Sequence, residues 1–213
     1  MGGFLGSPRA TAILSIGLAG GLLILAPSLA SLKLAGDRSG YAPEQPVLFS
    51  HRLHAGELTL GCLYCHGGAE KSRHAGLPAA AVCMNCHKTV TASWAEVRAE
   101  GERADKEKRS PATIISPELA KLRSSLEPAP GRPLGWIRVH DLPDFAYFDH
   151  RPHVGAGVAC QTCHGAVQGM EVLRQDQDLS MGLCVNCHRD LNATGLPDGR
   201  PAHAPTDCCT CHF

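Results

Sequence analysis

Hydrophobic and polar positions divide the chain into three kinds of segment. The first is apolar, because residues 10–32 form 23 consecutive positions without a charged side chain, between Arg9 and Lys33. Such a stretch is long enough to cross a bilayer as one helix. A cleaved signal peptide is the alternative, since Ser28-Leu29-Ala30 is an acceptable cleavage site, but the apolar run is longer than in most signal peptides. The pattern predicts a retained N-terminal transmembrane anchor, and its flanking charges are too balanced to orient it.

The second kind of segment is polar and lies in the middle of the chain. Residues 95–110 are rich in Glu, Lys, Arg and Ala, which predicts a solvated helix. Ser116 followed by Pro117 predicts the start of another helix. Its leucines recur on one face; they are Leu119, Leu122 and Leu126. The Pro-rich residues 127–133 end it. With no Cys or His, this region is interpreted as a spacer, and a docking surface for a partner is the alternative.

The third kind of segment is irregular and carries most of the Gly, Pro, Cys and His. It occupies residues 47–91 and 134–213, where short apolar runs allow only brief helices. Alternation of apolar and polar side chains in residues 136–140 predicts one short strand. The polar, Gly- and Pro-bearing residues 36–46 are expected to form a tether behind the anchor.

Composition shows that an ordinary core must be replaced by something else. The chain has 213 residues, of which 5% are aromatic, with 20 basic and 20 acidic side chains. The balanced charge gives no reason to expect a nucleic-acid partner. A chain with few large side chains needs metals or disulfides to complete its packing. Its 11 Cys and 12 His indicate which residues serve that purpose.

Five C-x-x-C pairs are each followed directly by His, the attachment signature of c-type haem. Zinc ribbons and disulfide scaffolds require no His at that place, so the pattern predicts five covalently attached haem c groups. The attaching cysteines are Cys62, Cys65, Cys83, Cys86, Cys160, Cys163, Cys184, Cys187, Cys208 and Cys211. The proximal iron ligands are His66, His87, His164, His188 and His212. Cys209 is left over, at a variable position of the last motif.

Seven further histidines are candidates for five distal iron positions. Four belong to a duplicated F-x-H-x-x-H element, in which two histidines three residues apart can reach different haems; they are His51, His54, His150 and His153. His140 is the fifth choice, with His203 as its alternate and His74 after that, because both of these lie in polar or Pro-rich loops expected at the surface. Ligation by Met170 or Met181 is a further alternative.

These motifs define the expected architecture. We predict a mainly α chain with much irregular structure, in which one N-terminal transmembrane helix carries a multihaem cytochrome c domain organised around five haems. The divisions are a cytoplasmic tip and anchor (1–35), the tether (36–46), a dihaem module (47–91), a helical linker (92–133) and a trihaem module (134–213).

The ligand supply predicts electron transfer rather than catalysis. If both axial positions of each iron are filled, no iron is open to a substrate. The sequence shows no catalytic triad, phosphate-binding loop or basic nucleic-acid patch. The predicted function is a haem wire that accepts and passes single electrons, without a catalytic site of its own.

Particular stretches resemble a known family. The F-x-H-x-x-H elements, residues 78–87 ending in C-M-N-C-H, and residues 139–145 (V-H-D-L-P-D-F) are similar to the pentahaem cytochrome c subunit of bacterial alternative complex III. More distantly, the modules resemble class III multihaem cytochromes. The resemblance implies that His51, His54, His150 and His153 are the paired distal ligands and that His140 matches the family's V-H-x-L-P-D segment.

The resemblance also implies a partner set and a compartment. The chain would belong to a respiratory-chain quinol:electron acceptor oxidoreductase, receive electrons from an iron–sulfur subunit beside integral-membrane subunits, and pass them to a downstream cytochrome c or an oxidase. It would be a single-pass protein of the bacterial cytoplasmic (inner) membrane with its haem domain in the periplasm.

Two other functions stay open on the residues alone. One is a stand-alone small multihaem quinol dehydrogenase that feeds periplasmic reductases; the predicted anchor, however, has no acidic or His residue to take a quinol proton. The other is a multihaem reductase with an open iron; here, candidate ligands outnumber the haems.

Overall fold

The computed structural model describes residues 8–30, 38–126 and 133–212. Two compact units divide the chain, residues 1–37 and residues 38–213. Throughout the described ranges the regular structure is helical and no strand is present. The prediction of a mainly α fold with much irregular structure is therefore confirmed.

The first unit contains a single described helix, α1, Pro8–Ala30. Its side chains are described for residues 11–26, and most of them, including Ile13 and Leu23, are exposed. Among the helices that the structure describes, none combines the length and apolar character needed to cross a bilayer. The anchor predicted at residues 10–32 is therefore not confirmed as a membrane span, and its residues 31–32 lie outside the described ranges.

The second unit consists of short helices joined by irregular chain. In order they are a π-helical turn, Arg52–Glu57; α2, Cys62–Cys65; α3, Gly68–Lys71; α4, Ala80–His87; α5, Trp94–Glu107; α6, Pro117–Ser124; α7, His150–Gly155; α8, Gln161–His164; a 3-10 turn, Val167–Gly169; α9, Met181–Thr194; and α10, Cys208–Cys211. Each C-x-x-C-H motif lies on or at the edge of one of these helices, so a helical turn sets the spacing of its two thiols.

Both helices predicted in the polar middle of the chain are observed. Helix α5 begins with a capping box, in which the Ser93 hydroxyl accepts from the Glu96 amide and the Glu96 carboxylate accepts from the Ser93 amide. Helix α6 begins as expected, with Ser116 accepting from the Leu119 amide. Leu122 is the buried member of its leucine face, and α6 also donates to the haem-motif region, since Arg123 Nη2 lies 2.9 Å from the His87 carbonyl oxygen.

The strand predicted at residues 136–140 is wrong. The backbone of Ile137 is paired, but with a side chain: its amide donates to Gln45 Oε1 at 2.9 Å, and its carbonyl accepts from Gln45 Nε2 at 2.9 Å. A side-chain amide thus satisfies both backbone groups that a neighbouring strand would otherwise pair with. The alternation does survive in burial, because Val139 is buried while Ile137 is exposed.

The apolar core is small. The buried apolar side chains of the described ranges are Val47, Ala69, Ala104, Leu122, Val139, Met170 and Ala202. The polar side chain of Gln175 is fully buried and joins distant parts of the chain: its backbone pairs with Gly40 and Tyr41, and its amide oxygen accepts from the Asp141 amide at 3.4 Å. A buried polar side chain needs hydrogen-bond partners. The partners of Gln175 connect residues 38–41 to the C-terminal half of the chain.

Direct backbone contacts join residues 47–91 to residues 134–213. The π-helical turn packs against the 3-10 turn, where the Arg52 amide donates to the Met170 carbonyl at 2.9 Å. A Cβ placed on Gly56 would lie 2.4 Å from the carbonyl oxygen of Gln168. Glycine is required here because the two backbones approach too closely for any side chain.

Helix α3 packs against α7 in the same way. The Arg73 carbonyl accepts from the His150 amide at 3.3 Å, and Arg73 Nε donates to the Phe148 carbonyl at 3.1 Å. Its guanidinium lies 4.3 Å from the centre of the Tyr147 ring. These contacts place the second F-x-H-x-x-H element beside the segment that follows the first C-x-x-C-H motif.

Candidate haem-binding site

The two F-x-H-x-x-H elements have the same local geometry. In the first, Phe49 meets His51 edge-on at 4.9 Å and stacks on His54 at 4.4 Å. In the second, Phe148 meets His150 edge-on at 4.8 Å and lies against His153 at 4.7 Å. Each element therefore presents two imidazoles in different directions from one phenylalanine.

Backbone carbonyls fix the second histidine of each element. His54 Nδ1 lies 2.9 Å from the Ser50 carbonyl oxygen, and His153 Nδ1 lies 2.7 Å from the Asp149 carbonyl oxygen, four residues back in both cases. A ring that donates from Nδ1 keeps the lone pair of Nε2 free, which is how proteins orient metal-ligating histidines. Asp149 also caps α7 by accepting from the Arg151 amide at 2.9 Å.

Three of these histidines face a histidine of a C-x-x-C-H motif. The ring centroids are 6.1 Å apart for His54 and His87, 6.4 Å for His150 and His164, and 6.0 Å for His153 and His188. Metal–imidazole bonds are about 2.0 Å long, so two rings that bind one iron from opposite faces have centroids roughly 6 Å apart. The three pairs therefore have the spacing of axial ligand pairs.

His51 and His140 lie together near the first and third motifs. Burial, followed by the nearby His66, lowers the pKa of His51 to about 4. Burial likewise lowers the pKa of His140. His140 meets His164 edge-on at 4.4 Å, which is closer than two ligands across one iron and puts His140 beside the His150–His164 pair. His51 Nδ1 and His140 Nε2 are buried without a hydrogen-bond partner.

The remaining histidines are placed differently. The His212 ring has Phe145 as its neighbour at 5.8 Å, and its Nδ1 lies 3.1 Å from the Phe145 carbonyl oxygen. His74 and His203 are exposed, as expected for residues in polar or Pro-rich loops. All twelve histidines lie within the described ranges, and no imidazole contact is seen there for His212. The ligand opposite the fifth motif stays a prediction.

Most motif histidines are oriented by a backbone carbonyl. Nδ1 lies 2.8 Å from the Gly76 oxygen for His66, 2.8 Å from the Val90 oxygen for His87, and 2.5 Å from the Pro205 oxygen for His188. Each acceptor lies after its own motif in the chain. The loop that follows a motif therefore holds the ring of that motif with Nε2 free.

Electrostatics keep the buried rings neutral. Burial, followed by the neighbouring rings of His140, His150 and His66, lowers the pKa of His164 to about 4. Burial also lowers the pKa of His153. A neutral imidazole is the form that binds a metal, so these rings are ready to act as ligands at neutral pH without first losing a proton.

The donor set fits covalent haem. The eleven cysteines are free thiols, each exposed or half-buried, and each motif histidine lies one residue after its second thiol. Nε2 of His140 is buried without a hydrogen-bond partner, and a bound metal is the kind of group that satisfies such a lone pair. Residues that present paired imidazoles beside paired thiols have the chemistry that haem c attachment requires.

Sequence reasoning missed the groups that hold the ligands in place. Phe49 and Phe148 support four imidazoles, and the carbonyls of Ser50 and Asp149 fix two of them. The duplicated phenylalanine was a visible signal of this support. The Arg73 carbonyl, which lies 2.8 Å from His150 Nδ1, gave no signal because it is 77 residues away in the chain.

Comparisons with known proteins agree with this chemistry. Residues 146–213 match the family model described as cytochrome c7 and related cytochrome c. The chain is 25% identical over 191 residues to the menaquinone reductase, multihaem cytochrome c subunit, of Nitratidesulfovibrio vulgaris, covering 79% of this chain and 77% of that protein. Both similarities are to multihaem c-type cytochromes, a class that binds its haem covalently through cysteines.

Proposed function

We propose that the chain is an electron-transfer subunit of a quinone-linked oxidoreductase complex. The observation that carries this proposal is the set of three imidazole pairs at 6.0–6.4 Å. Each pair would hold a haem iron between two imidazoles and would leave no position on it open to a substrate. Haem c, when bound there, supplies reversible uptake of one electron at its iron.

The chain's own residues would hold the histidine ligands of the iron in place and limit their movement during electron transfer. Carbonyl acceptors fix the rings of His54, His150 and His153. Rings that are already in place need little movement when the charge of the metal changes. Preorganised ligands of this kind suit an electron relay.

The particular complex is part of the proposal. The resemblance to the pentahaem subunit of alternative complex III favours a quinol-oxidising assembly, with integral-membrane and iron–sulfur subunits as partners and a downstream cytochrome c or an oxidase as acceptor. The relative from Nitratidesulfovibrio vulgaris is named as a subunit of a menaquinone reductase, which favours a second candidate, an assembly in which electrons flow towards the quinone.

Purification of the full complex in mild detergent tests the function. We expect five covalently bound haems, low-spin spectra at the three paired sites, and co-purification of larger membrane subunits with an iron–sulfur protein. Reduction by a quinol and reoxidation by a soluble cytochrome would identify the quinol-oxidising form. Reduction by a periplasmic donor followed by quinone reduction would identify the other. Recovery as a lone protein that oxidises quinol would contradict both and favour the stand-alone dehydrogenase.

We also propose that the haem-binding unit lies at the periplasmic face of the bacterial cytoplasmic membrane. Support comes from the resemblance and from the exposed apolar side chains of residues 11–26. Cell fractionation with an alkaline carbonate wash tests this: the protein should stay in the membrane pellet and be digested by protease in spheroplasts. Release by the wash, or protection from protease, would contradict the proposed location.

A further inference from the structure

We infer that the five attachment motifs do not follow one another in space in chain order, but run second, first, third, fourth, fifth. Motifs are numbered here by their order in the chain: motif 1 is residues 62–66, motif 2 is 83–87, motif 3 is 160–164, motif 4 is 184–188 and motif 5 is 208–212. This inference rests on the proposed function only in that the motifs carry haem; the order itself comes from contacts.

Motif 2 contacts motif 1 through their variable residues. Asn85 Nδ2 donates to the Tyr64 hydroxyl at 3.0 Å, and both residues lie between the cysteines of their motifs. The pKa of the Cys65 thiol is raised first by burial and then by the nearby Cys83 thiol. Because each thiol attaches to the edge of a porphyrin, neighbouring thiols bring two porphyrin edges together.

Motif 1 also contacts motif 3, across the junction of the two halves. The pKa of the Cys160 thiol is raised first by burial and then by the nearby Cys62 thiol. The close backbone approach of Gly56 to Gln168 and the hydrogen bond from the Arg52 amide to the Met170 carbonyl hold this junction. Of the four junctions, this one pairs motifs 98 residues apart and passes over motif 2 in the chain.

Motifs 3 and 4 share one ligand-bearing helix. His150 and His153 both lie on α7, and they face His164 of motif 3 and His188 of motif 4 respectively. The pKa of the Cys163 thiol is raised first by burial and then by Cys187 of motif 4. One helical turn therefore spans both sites and fixes their separation.

Motifs 4 and 5 are joined through the loop before motif 5. The Pro205 carbonyl oxygen lies 2.5 Å from His188 Nδ1, and Asn192 exchanges two hydrogen bonds of 2.8 Å with the backbone of Ala204. The pKa of the Cys184 thiol is raised first by burial and then by Cys211. The chain of contacts thus ends at motif 5 on one side and at motif 2 on the other.

This order changes where electrons enter and leave. The terminal positions belong to motif 2, next to the helical linker through the contact of Arg123 with the His87 carbonyl, and to motif 5, at residues 208–212. Motif 1 becomes an internal relay, although it comes first in the chain. Removing motif 1 should therefore divide the wire, whereas removing motif 2 should only shorten it.

Cys209 provides a place to inject an electron at one end. It is exposed, lies within motif 5 and is outside the C-x-x-C pairs, so a thiol-reactive ruthenium photosensitiser can be attached there in the fully loaded protein. Repeated flashes in the presence of a sacrificial amine, which re-reduces the oxidised photosensitiser after each one-electron transfer, then measure what fraction of the haem absorbance is reduced in the fast phase. Cys209→Ser treated with the same reagent is the control for labelling elsewhere.

Two matched double variants distinguish the orders. Without the haem of motif 1 (Cys62→Ala with Cys65→Ala), we expect fast reduction of three of the four remaining haems; without the haem of motif 2 (Cys83→Ala with Cys86→Ala), we expect all four to be reduced fast. The reverse result overturns the inferred order in favour of chain order while leaving the proposed function intact. Equal results for the two variants also overturn it. A labelled parent that transfers no electrons at all would instead contradict the proposed function.

A second pair of variants keeps all five haems, in case either deletion prevents folding. His51 has His66 of motif 1 as a close neighbour, and we assign it to that site; His54 faces His87 of motif 2. Thioether ligation raises the potential of a haem, so His51→Met and His54→Met would turn the sites of motif 1 and motif 2 respectively into electron traps. Electrons injected at Cys209 should fill the trap at motif 1 before the trap at motif 2. Earlier filling at motif 2, or equal filling times, would overturn the order. Potentiometric titration of each variant verifies the raised potential independently of any activity.

Discussion

Gly56→Ala is the substitution that most directly tests how the two halves of the haem-binding unit are joined. The added Cβ would lie 2.4 Å from the backbone oxygen of Gln168 and 3.5 Å from the carbonyl carbon of the same residue. Ordinary contact distances begin at about 3.4 Å, so one backbone must move by roughly 1 Å. Neither partner is a flexible side chain, so the π-helical turn and the 3-10 turn must separate.

The cost follows from the type of strain. Overpacking a closely fitted contact costs about 1–3 kcal/mol, and for a chain of this size each kcal/mol lowers Tm by about 2–4 °C. We therefore expect Tm to fall by several degrees in the haem-loaded protein. The same displacement lengthens the contact between Cys62 and Cys160, so transfer between motifs 1 and 3 should slow while every haem keeps its spectrum.

Gly101→Ala is the matched control. Gly101 lies inside α5, where an added Cβ meets nothing within 4 Å. Replacing a helical glycine by alanine stabilises by about 0.5–1 kcal/mol, so the same chemical change should have the opposite sign. Calorimetry and circular dichroism on both variants provide the measurement. If Gly56→Ala is as stable as the parent protein, the close approach of the two turns does not join the halves.

Three further predictions concern one ligand, one carboxylate and one cap. His150→Ala should convert one haem from low-spin to high-spin in visible and electron paramagnetic resonance spectra, whereas the exposed His74→Ala should change neither; five unaltered low-spin haems would contradict the ligand role of His150. Hydrogen bonding from Arg109 lowers the pKa of Glu100 to about 2 from an ordinary 4.5. The Glu100 carboxylate therefore stabilises the fold fully above pH 4.5, and this stabilisation is lost as the pH falls from 4.5 towards 2. Glu100→Gln should accordingly lower Tm at pH 7, and the difference in Tm between variant and parent should disappear as the pH falls to about 2. A difference in Tm that stays the same at low pH would refute the stabilising role of the Glu100 carboxylate. Ser116→Ala should cost about 1 kcal/mol of stability through loss of the α6 cap, measured by chemical denaturation, and a cost near zero would show that α6 does not depend on it.

Local signals predicted local structure well. The start of α6 follows from Ser116 and Pro117 because a cap acts within four residues and needs no distant partner. The strand expected at residues 136–140 failed for the opposite reason, since a strand exists only if its backbone finds a neighbouring strand. Here Gln45, 92 residues away, supplies the hydrogen bonds instead.

The candidate site was predictable in its residue types and only partly in its pairings. C-x-x-C-H and F-x-H-x-x-H are short patterns, so the sequence could nominate the thiols and imidazoles. Which imidazole faces which motif depends on contacts such as that between Arg73 and His150, which no spacing reveals. His140 illustrates the limit, because its apolar surroundings predicted burial correctly while its edge-on position beside His164 depends on the folded arrangement.

The small apolar core has a consequence for the life of the protein in the cell. With so few buried apolar side chains, most of the packing surface must come from the attached cofactor. A chain that misses its haem would populate open states far more often, and proteases remove such states. The abundance of this protein should therefore follow the supply of haem to the compartment where attachment occurs.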